Sequence, residues 1–312
     1  MRPADVPYPR GVPAPRPTSR LAGFLAALVG LAIVTSACQA SDAGEAGTGT
    51  GVTGEERLRY VALGDSYTAA PLFPLKESIN GCLRSSGNYP TLVAEAEDLA
   101  VVDVSCSGAS TTSMTSRQNF TDRSRPPQLD ALKPDTQLVT IGIGANDFRY
   151  FSAMMFDCLA VAESDPEGAP CRELNDRPRQ ERRLALQLTE IRANVARVVD
   201  AIGERSPEAR IMLIGYPQLL PATGQCRNKL PLAVGDWDFV RDLNLRLAQS
   251  VEGAAADSGA EFVDLVQASQ GHDICSAEPW VAGVRGDPSR AMGLHPYPAE
   301  QRAVAELIAE LL

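Results

Sequence analysis

The chain has 312 residues, 44% of them hydrophobic and 22% charged, enough apolar content to pack one large domain or two small ones. Its formal charge is −10, and its basic residues are scattered or sit beside acids. That balance argues against a nucleic-acid partner, because phosphate binding needs grouped cations that displace counterions.

The first 56 residues read as something other than the fold. Arg2, Arg10, Arg16 and Arg20 stand against one acid, Asp5, and an uncharged run, "LAGFLAALVGLAIVTSA" over 21–37, then stops at Cys38. This is the layout of an export signal over 1–37. Ser36 and Ala37 directly before Cys38 resemble the lipobox of bacterial lipoproteins, although Thr35 replaces the larger aliphatic residue usual there. Cys38 is therefore the expected lipidation site and mature N-terminus, holding the protein to the outer face of the membrane. A plain secretory signal and an uncleaved membrane anchor are the alternatives. All three place the remainder outside the cytoplasm. "QASDAGEAGTGTGVTGEE" over 39–56 cannot bury apolar surface and reads, with Cys38, as a flexible linker over 38–56, ahead of a folded domain over 57–312.

Within that domain, short apolar runs rich in β-branched residues recur at 58–64, 100–105, 137–144, 209–216 and 260–265 and predict buried strands. Helices are expected between and after them at 89–99, 181–204, 235–258 and 298–312. In "ERRLALQLTEIRANVARVVDAIGE", Leu184, Leu188, Ile191, Val195, Val198 and Ile202 share one face, a stripe suited to packing on a sheet. Alternating strand and helix with nearly continuous apolar strands predicts an α/β fold, a three-layer α/β/α sandwich around a central parallel sheet. The stretch 148–181 reads as an insertion placed to shape a pocket mouth.

Of seven cysteines, removal of Cys38 leaves Cys82, Cys106, Cys158, Cys171, Cys226 and Cys275. An even set in an exported chain reads as three disulfides. The pairing stays open, except that Cys158 and Cys171 bracket an acidic Pro/Gly loop that a bond between them would close. Neither cysteines nor histidines show metal-ligand spacing, so no metal is expected.

Open parallel sheets bind ligands beyond the carboxyl ends of their strands. The residues there are unusual: Gly64-Asp65-Ser66 after the first strand, Cys106-Ser107-Gly108 after the second, and Gly144-Ala145-Asn146-Asp147 after the third. A serine hydroxyl becomes an effective nucleophile beside a general base and donors aimed at the developing oxyanion. The chain has two histidines, His272 and His295. Suitable donors are the N–H groups of Ser66 and Gly108 and the side-chain amide of Asn146. The structural alternatives are helix caps for Ser66 and Asn146 and a simple turn for Gly108. Asp65 and Asp147 read as stabilisers of their own turns, His272 as structural, and Tyr67 and Trp280 as either pocket lining or core.

On these residues the chain resembles the SGNH (GDSL-type) hydrolases from about residue 58 to the C-terminus. "GDSY" at 64–67 matches the first block, Gly108 in "SCSGAST" the second, "GAND" at 144–147 the third and "GLHP" at 293–296 the last. The resemblance implies a flavodoxin-like SGNH fold and a Ser66 nucleophile with His295 as base. It also implies an oxyanion hole of Ser66, Gly108 and Asn146, with no metal or organic cofactor. "CLRSSGNYP" and "EPWVAG" narrow the likeness to secreted actinobacterial lipases and esterases, which implies disulfides 82–106, 158–171 and 226–275. The implied substrate is a carboxylic ester, of a lipid or another acyl compound, and a monomer is expected. Met292 stands where the family commonly has an aspartate to orient the histidine. The Met292 carbonyl is the expected replacement, with Asp287 as the carboxylate alternative. An acyltransferase acting on an envelope sugar or alcohol would share the same residues, and a non-catalytic envelope lipoprotein could retain the fold.

Overall fold

The five apolar runs become strands of one sheet, covered on both faces at its centre but not at its edge, where the run at 100–105, expected to be buried, leaves Val102 51% exposed because no strand flanks it on that side. In the computed structural model, which describes residues 57–71 and 81–312, these are β1 (Arg59–Gly64), β2 (Ala100–Asp103), β5 (Leu138–Gly142), β6 (Arg210–Ile214) and β7 (Glu261–Val263). All neighbours run parallel, in the order β2-β1-β5-β6-β7. Two short strands, β3 (Gln118–Asn119) and β4 (Ser124–Arg125), form a separate antiparallel pair that the apolar pattern did not announce. The expected signal over 1–37, lipidated Cys38 and linker over 38–56 lie outside the described residues.

Alternation along the strands divides the core in two, as a period of two requires. Val61, Leu63, Val139, Ile141 and Leu213 pack with Ile191, Val195 and Val251, which belong to the helices Pro178–Arg205 and Trp237–Ser258. Tyr60, Ala62, Leu138, Met212 and Ile214 pack on the other face with Val93 and Val304, from the helices Tyr89–Ala96 and Pro298–Ala309. The result is the expected three-layer sandwich. The stripe from Leu184 to Ile202 is buried, and proline at the first helical turn, where an N–H has no partner to lose, starts that helix at Pro178.

Strand order sets the place of the site. From β1 the chain crosses to β2 on one side, and from β2 it returns to β5 on the other, so the turns leaving β1 and β5 diverge and open a crevice between them. Disulfides Cys82–Cys106, Cys158–Cys171 and Cys226–Cys275 are formed. The first fastens the loop after β2, and the second closes part of the 148–181 insertion, which is mostly short helical segments.

Candidate active site

The turn after β1 is held from three sides. The Gln128 amide clamps Gly64, accepting its N–H at 2.8 Å and donating to its carbonyl at 2.9 Å. The same carbonyl accepts the Cys106 N–H at 3.0 Å, and the Asp65 N–H donates to the Gly142 carbonyl on β5 at 3.0 Å. Asp65, rather than Ser66, caps the helical turn Ser66–Ala69, its Oδ1 accepting the Tyr67 N–H at 2.9 Å. Ser66 is therefore free of the capping role. Its N–H, an orphan donor at a helix start, has no acceptor among the described residues.

The two remaining donors stand on the next loops. Gly108 has φ +77°, a left-handed backbone, while a Cβ there would meet nothing closer than 3.8 Å. The glycine is needed for its conformation, and its N–H also lacks an acceptor among the described residues. Asn146 donates one hydrogen of Nδ2 to the Ala109 carbonyl at 2.9 Å, so a second remains available. Asp147 is more than a local turn stabiliser: its carboxylate accepts from the Thr111 N–H (2.8 Å), the Thr111 hydroxyl (2.5 Å) and Asn194 Nδ2 (3.1 Å). It binds the loop bearing Gly108 to the loop bearing Asn146.

His295 corrects the expectation about its orienter. Nδ1 lies 2.8 Å from the carbonyl oxygen of Gly293, not that of Met292. A carbonyl can only accept, so Nδ1 carries the proton and Nε2 is left with its lone pair open. The Met292 carbonyl instead accepts the backbone N–H of His295 at 3.2 Å, closing a turn in which Leu294 is left-handed at φ +61°. That turn spends the Met292 oxygen on the main chain and leaves the Gly293 oxygen for the ring. Asp287 is occupied by Ser289 and Arg290, with bonds of 2.6 to 2.9 Å, which hold its carboxyl down at about 2. It makes no bond to His295.

Ser66, Gly108, Asn146 and His295 line one cavity of about 370 Å³, with Tyr67 and Phe156 also in its wall. No hydrogen bond joins Ser66 to His295 within this cavity, a looseness common before substrate tightens a site. The profile of the GDSL-like lipase/acylhydrolase family matches residues 62–303, which includes all four residues.

The chain belongs to that family. As a GDSL-type ester hydrolase it is 35% identical to Lipase 2 of Streptomyces coelicolor, over 82% of this chain and 86% of that protein. An esterase of Streptomyces scabiei is 29% identical over 83% of this chain and 84% of its own length. Among solved structures, phospholipase A1 of Streptomyces albidoflavus superimposes with a TM-score of 0.66 at 25% identity, covering 82% of this chain and 99% of that one. The extracellular lipase of Streptomyces rimosus gives 0.65, also at 25% identity, over 82% of this chain and all of its own.

Tyr216, just beyond β6, is a part of this hydrolase that the motif blocks omit. Its hydroxyl donates to Asp65 Oδ2 at 2.5 Å and accepts the Ala145 N–H at 3.1 Å, bridging the turn of Ser66 to the loop of Asn146. Burial pushes the Asp65 carboxyl up to about 7, against the pull of the bonds from Tyr216 and Tyr67. From the other side, the Tyr67 hydroxyl donates to the Leu294 carbonyl at 3.0 Å, and Gln301 Nε2 donates to the Tyr67 carbonyl at 3.0 Å. Glu300 beside it is fully buried, pushed up to about 8 by desolvation, and accepts from Gln301 at 2.6 Å. His272 stacks on Trp280 with centroids 4.8 Å apart, outside the cavity, whereas Tyr67 lines it.

Burial lowers the pKa of His295, and the Gly293 bond only partly opposes it. The base is competent when neutral, so kcat/KM on a soluble ester should hold as pH falls to about 6.5, the ordinary histidine value, and decline only below it. Asp287→Asn should leave that limb in place; a limb above the ordinary histidine value, or one abolished by Asp287→Asn, would contradict the carbonyl-held histidine. Tyr216→Phe leaves Asp65 Oδ2 and the Ala145 N–H without this partner, a loss of about 1–3 kcal/mol for a buried group. The expected result is a lower unfolding temperature and about a tenfold lower kcat, with KM little changed.

Proposed function

We propose that Ser66 attacks the carbonyl carbon of a carboxylic ester while His295 Nε2 takes its proton. The tetrahedral oxyanion is held by the N–H groups of Ser66 and Gly108 and the Asn146 amide. Collapse expels the alcohol, which receives the proton from His295, and leaves an acyl-Ser66 intermediate. Water, deprotonated by His295, then releases the acid and restores the serine. The observation carrying this reading is the single cavity that contains the free Ser66 side chain, an imidazole with its proton fixed on the Gly293 side, and three available donors. The carbonyl supplies orientation without a full negative charge.

The substrate is proposed to be a lipid or other acyl ester. Phe151 and Phe156, with centroids 6.5 Å apart, and Leu83 give the cavity an apolar wall that suits an acyl chain, and the names of the lipase and phospholipase relatives point the same way. Three disulfides support an extracytoplasmic location. There the hydrolase domain, over 57–312, is proposed to act as a monomer on a tether of residues 38–56, with lipid on Cys38 fixing it to the membrane. Among the described residues, no helix is long and apolar enough to cross a membrane.

Rates on p-nitrophenyl esters from acetate to palmitate test both parts. Ser66→Ala should lower kcat by about 10⁴-fold or more, and Asn146→Ala by about 10²- to 10³-fold with KM little changed. A Ser66→Ala protein retaining most of its activity would overturn the mechanism. A preference for acetate over every longer chain would overturn the lipid assignment alone.

A further inference from the structure

Another hollow is bounded by Phe148, on the same segment whose Phe151 and Phe156 line the cavity of Ser66. It measures about 760 Å³ and is lined by Phe148, Arg179, Arg182, Arg183, Leu186 and Glu190, together with two glutamines. In sequence Glu181 stands among these arginines and makes them look partly neutralised. On the helix Pro178–Arg205, however, positions 179, 182, 183, 186 and 190 share one face, and Glu181 falls off it. Glu190 is then the one carboxylate in the lining. Arg192, Arg210, Arg227, Arg246 and Arg290 are each paired with an acid. Arg179, Arg182 and Arg183 are exposed and have no ion pair among the described residues.

Fold stability does not explain their position. They occupy the first turns of a 28-residue helix, where the macrodipole disfavours cations. The apolar members are equally out of place. Leu186 is 59% exposed and Phe148 49% exposed, and Phe148 and Arg149 are successive non-glycine residues in the left-handed region, at φ 54° and 58°. This strained pair begins two residues after Asn146, just beyond Asp147, and turns Phe148 to the surface. The same segment goes on to Phe156, which is 50% exposed and lines the catalytic cavity. One stretch of chain thus joins the cavity wall to a patch that combines exposed apolar groups with unpaired guanidiniums.

We propose that this patch docks the enzyme on an anionic phospholipid surface, with Phe148 and Leu186 entering between headgroups and Arg179, Arg182 and Arg183 binding phosphate oxygens. Guanidiniums fit phosphate through paired N–H donors, and basic residues with adjacent apolar groups are what an anionic interface takes up. The chain's net charge of −10 repels such a surface at large, so approach through this one basic face also orients the molecule. The inference rests on the proposed lipid-ester reading, since docking here brings the Phe156 edge of the cavity to the lipid.

The test is the full chain carrying Ser66→Ala and Leu186→Trp, with tryptophan emission as the readout; Trp237 and Trp280, at 1% and 9% exposure, give a constant background. Vesicles of phosphatidylcholine with one-third phosphatidylglycerol should shift the emission to the blue and protect it from acrylamide. Pure phosphatidylcholine should not. Adding Arg179→Gln, Arg182→Gln and Arg183→Gln should raise the lipid concentration required by about 100-fold, and high salt should act in the same direction. With Ser66 intact, the triple glutamine variant should turn over p-nitrophenyl acetate as the parent does and unfold at the same or a higher temperature. No shift on anionic vesicles, an equal shift on phosphatidylcholine, or a shift indifferent to the arginines would overturn the proposal. So would a loss of soluble-ester turnover in the glutamine variant, since the arginines would then serve the fold. A shift that persists in a chain whose Ser66 form hydrolyses no ester would uphold docking while refuting the hydrolase mechanism.

Discussion

The site depends on how closely β1 and β5 approach at their carboxyl ends. Gly64 and Gly142 are register partners there, and Thr68 packs over both. A Cβ on Gly64 would collide with the Thr68 hydroxyl and lie 2.8 Å from the Gly142 carbonyl, and one on Gly142 would lie 2.9 Å from the same hydroxyl. Two missing side chains let the helical turn of Ser66 sit directly on the sheet. With that turn seated, Asp65 reaches Gly142 by its N–H and Tyr216 by its carboxylate. The serine is thereby placed relative to β5 and β6, whose following loops carry Asn146 and Tyr216. An added methyl at Gly64 would shift Ser66 relative to the loops of Gly108 and Asn146.

Around that contact, the buried carboxylates are held by hydrogen bonds, and those of Asp65 and Asp147 come from separate elements. Asp65, Asp147 and Glu300 are each nearly inaccessible, and each accepts from at least one donor. Unpaired, such groups would be costly, whereas tied together they fix loops that apolar packing alone would leave free to slide. The histidine follows the same economy. Its orienter is a main-chain oxygen from its own turn, so the ring is set by backbone geometry and needs no second buried carboxylate beside it.

Much of this was legible in the chain because it is local. The strands announced themselves by continuous apolar runs, and β5 at Leu138–Gly142 falls within the 137–144 expectation. The long helix, expected over 181–204, runs over Pro178–Arg205, reaching back to its proline start. Ser66, Gly108 and Asn146 stand after strands, where a parallel sheet puts ligands, and His295 is one of two histidines. What escaped depends on separations of tens to hundreds of residues or on a single backbone angle. Tyr216 meets Asp65 across 151 positions, and Tyr67 meets Leu294 across 227. Nothing in the composition of "LIGYP" marks that tyrosine as a bridge. The choice of Gly293 over Met292 turns on the left-handed Leu294, a residue type that gives no warning of that conformation. The arginine face was obscured differently, because adjacency in sequence paired charges that the helix separates.

We propose that one strand-end contact gathers a nucleophile, a base and three donors around a single oxygen position. The most direct test is a crystal structure of the protein inactivated by a p-nitrophenyl alkylphosphonate, whose phosphoryl oxygen stands in for the oxyanion. The account predicts phosphorus bonded to Ser66 Oγ, with that oxygen at about 2.7–3.1 Å from Ser66 N, Gly108 N and Asn146 Nδ2 and the His295 ring still bonded to Gly293. Phosphorus on another residue, or a phosphoryl oxygen turned away from these donors, would contradict it.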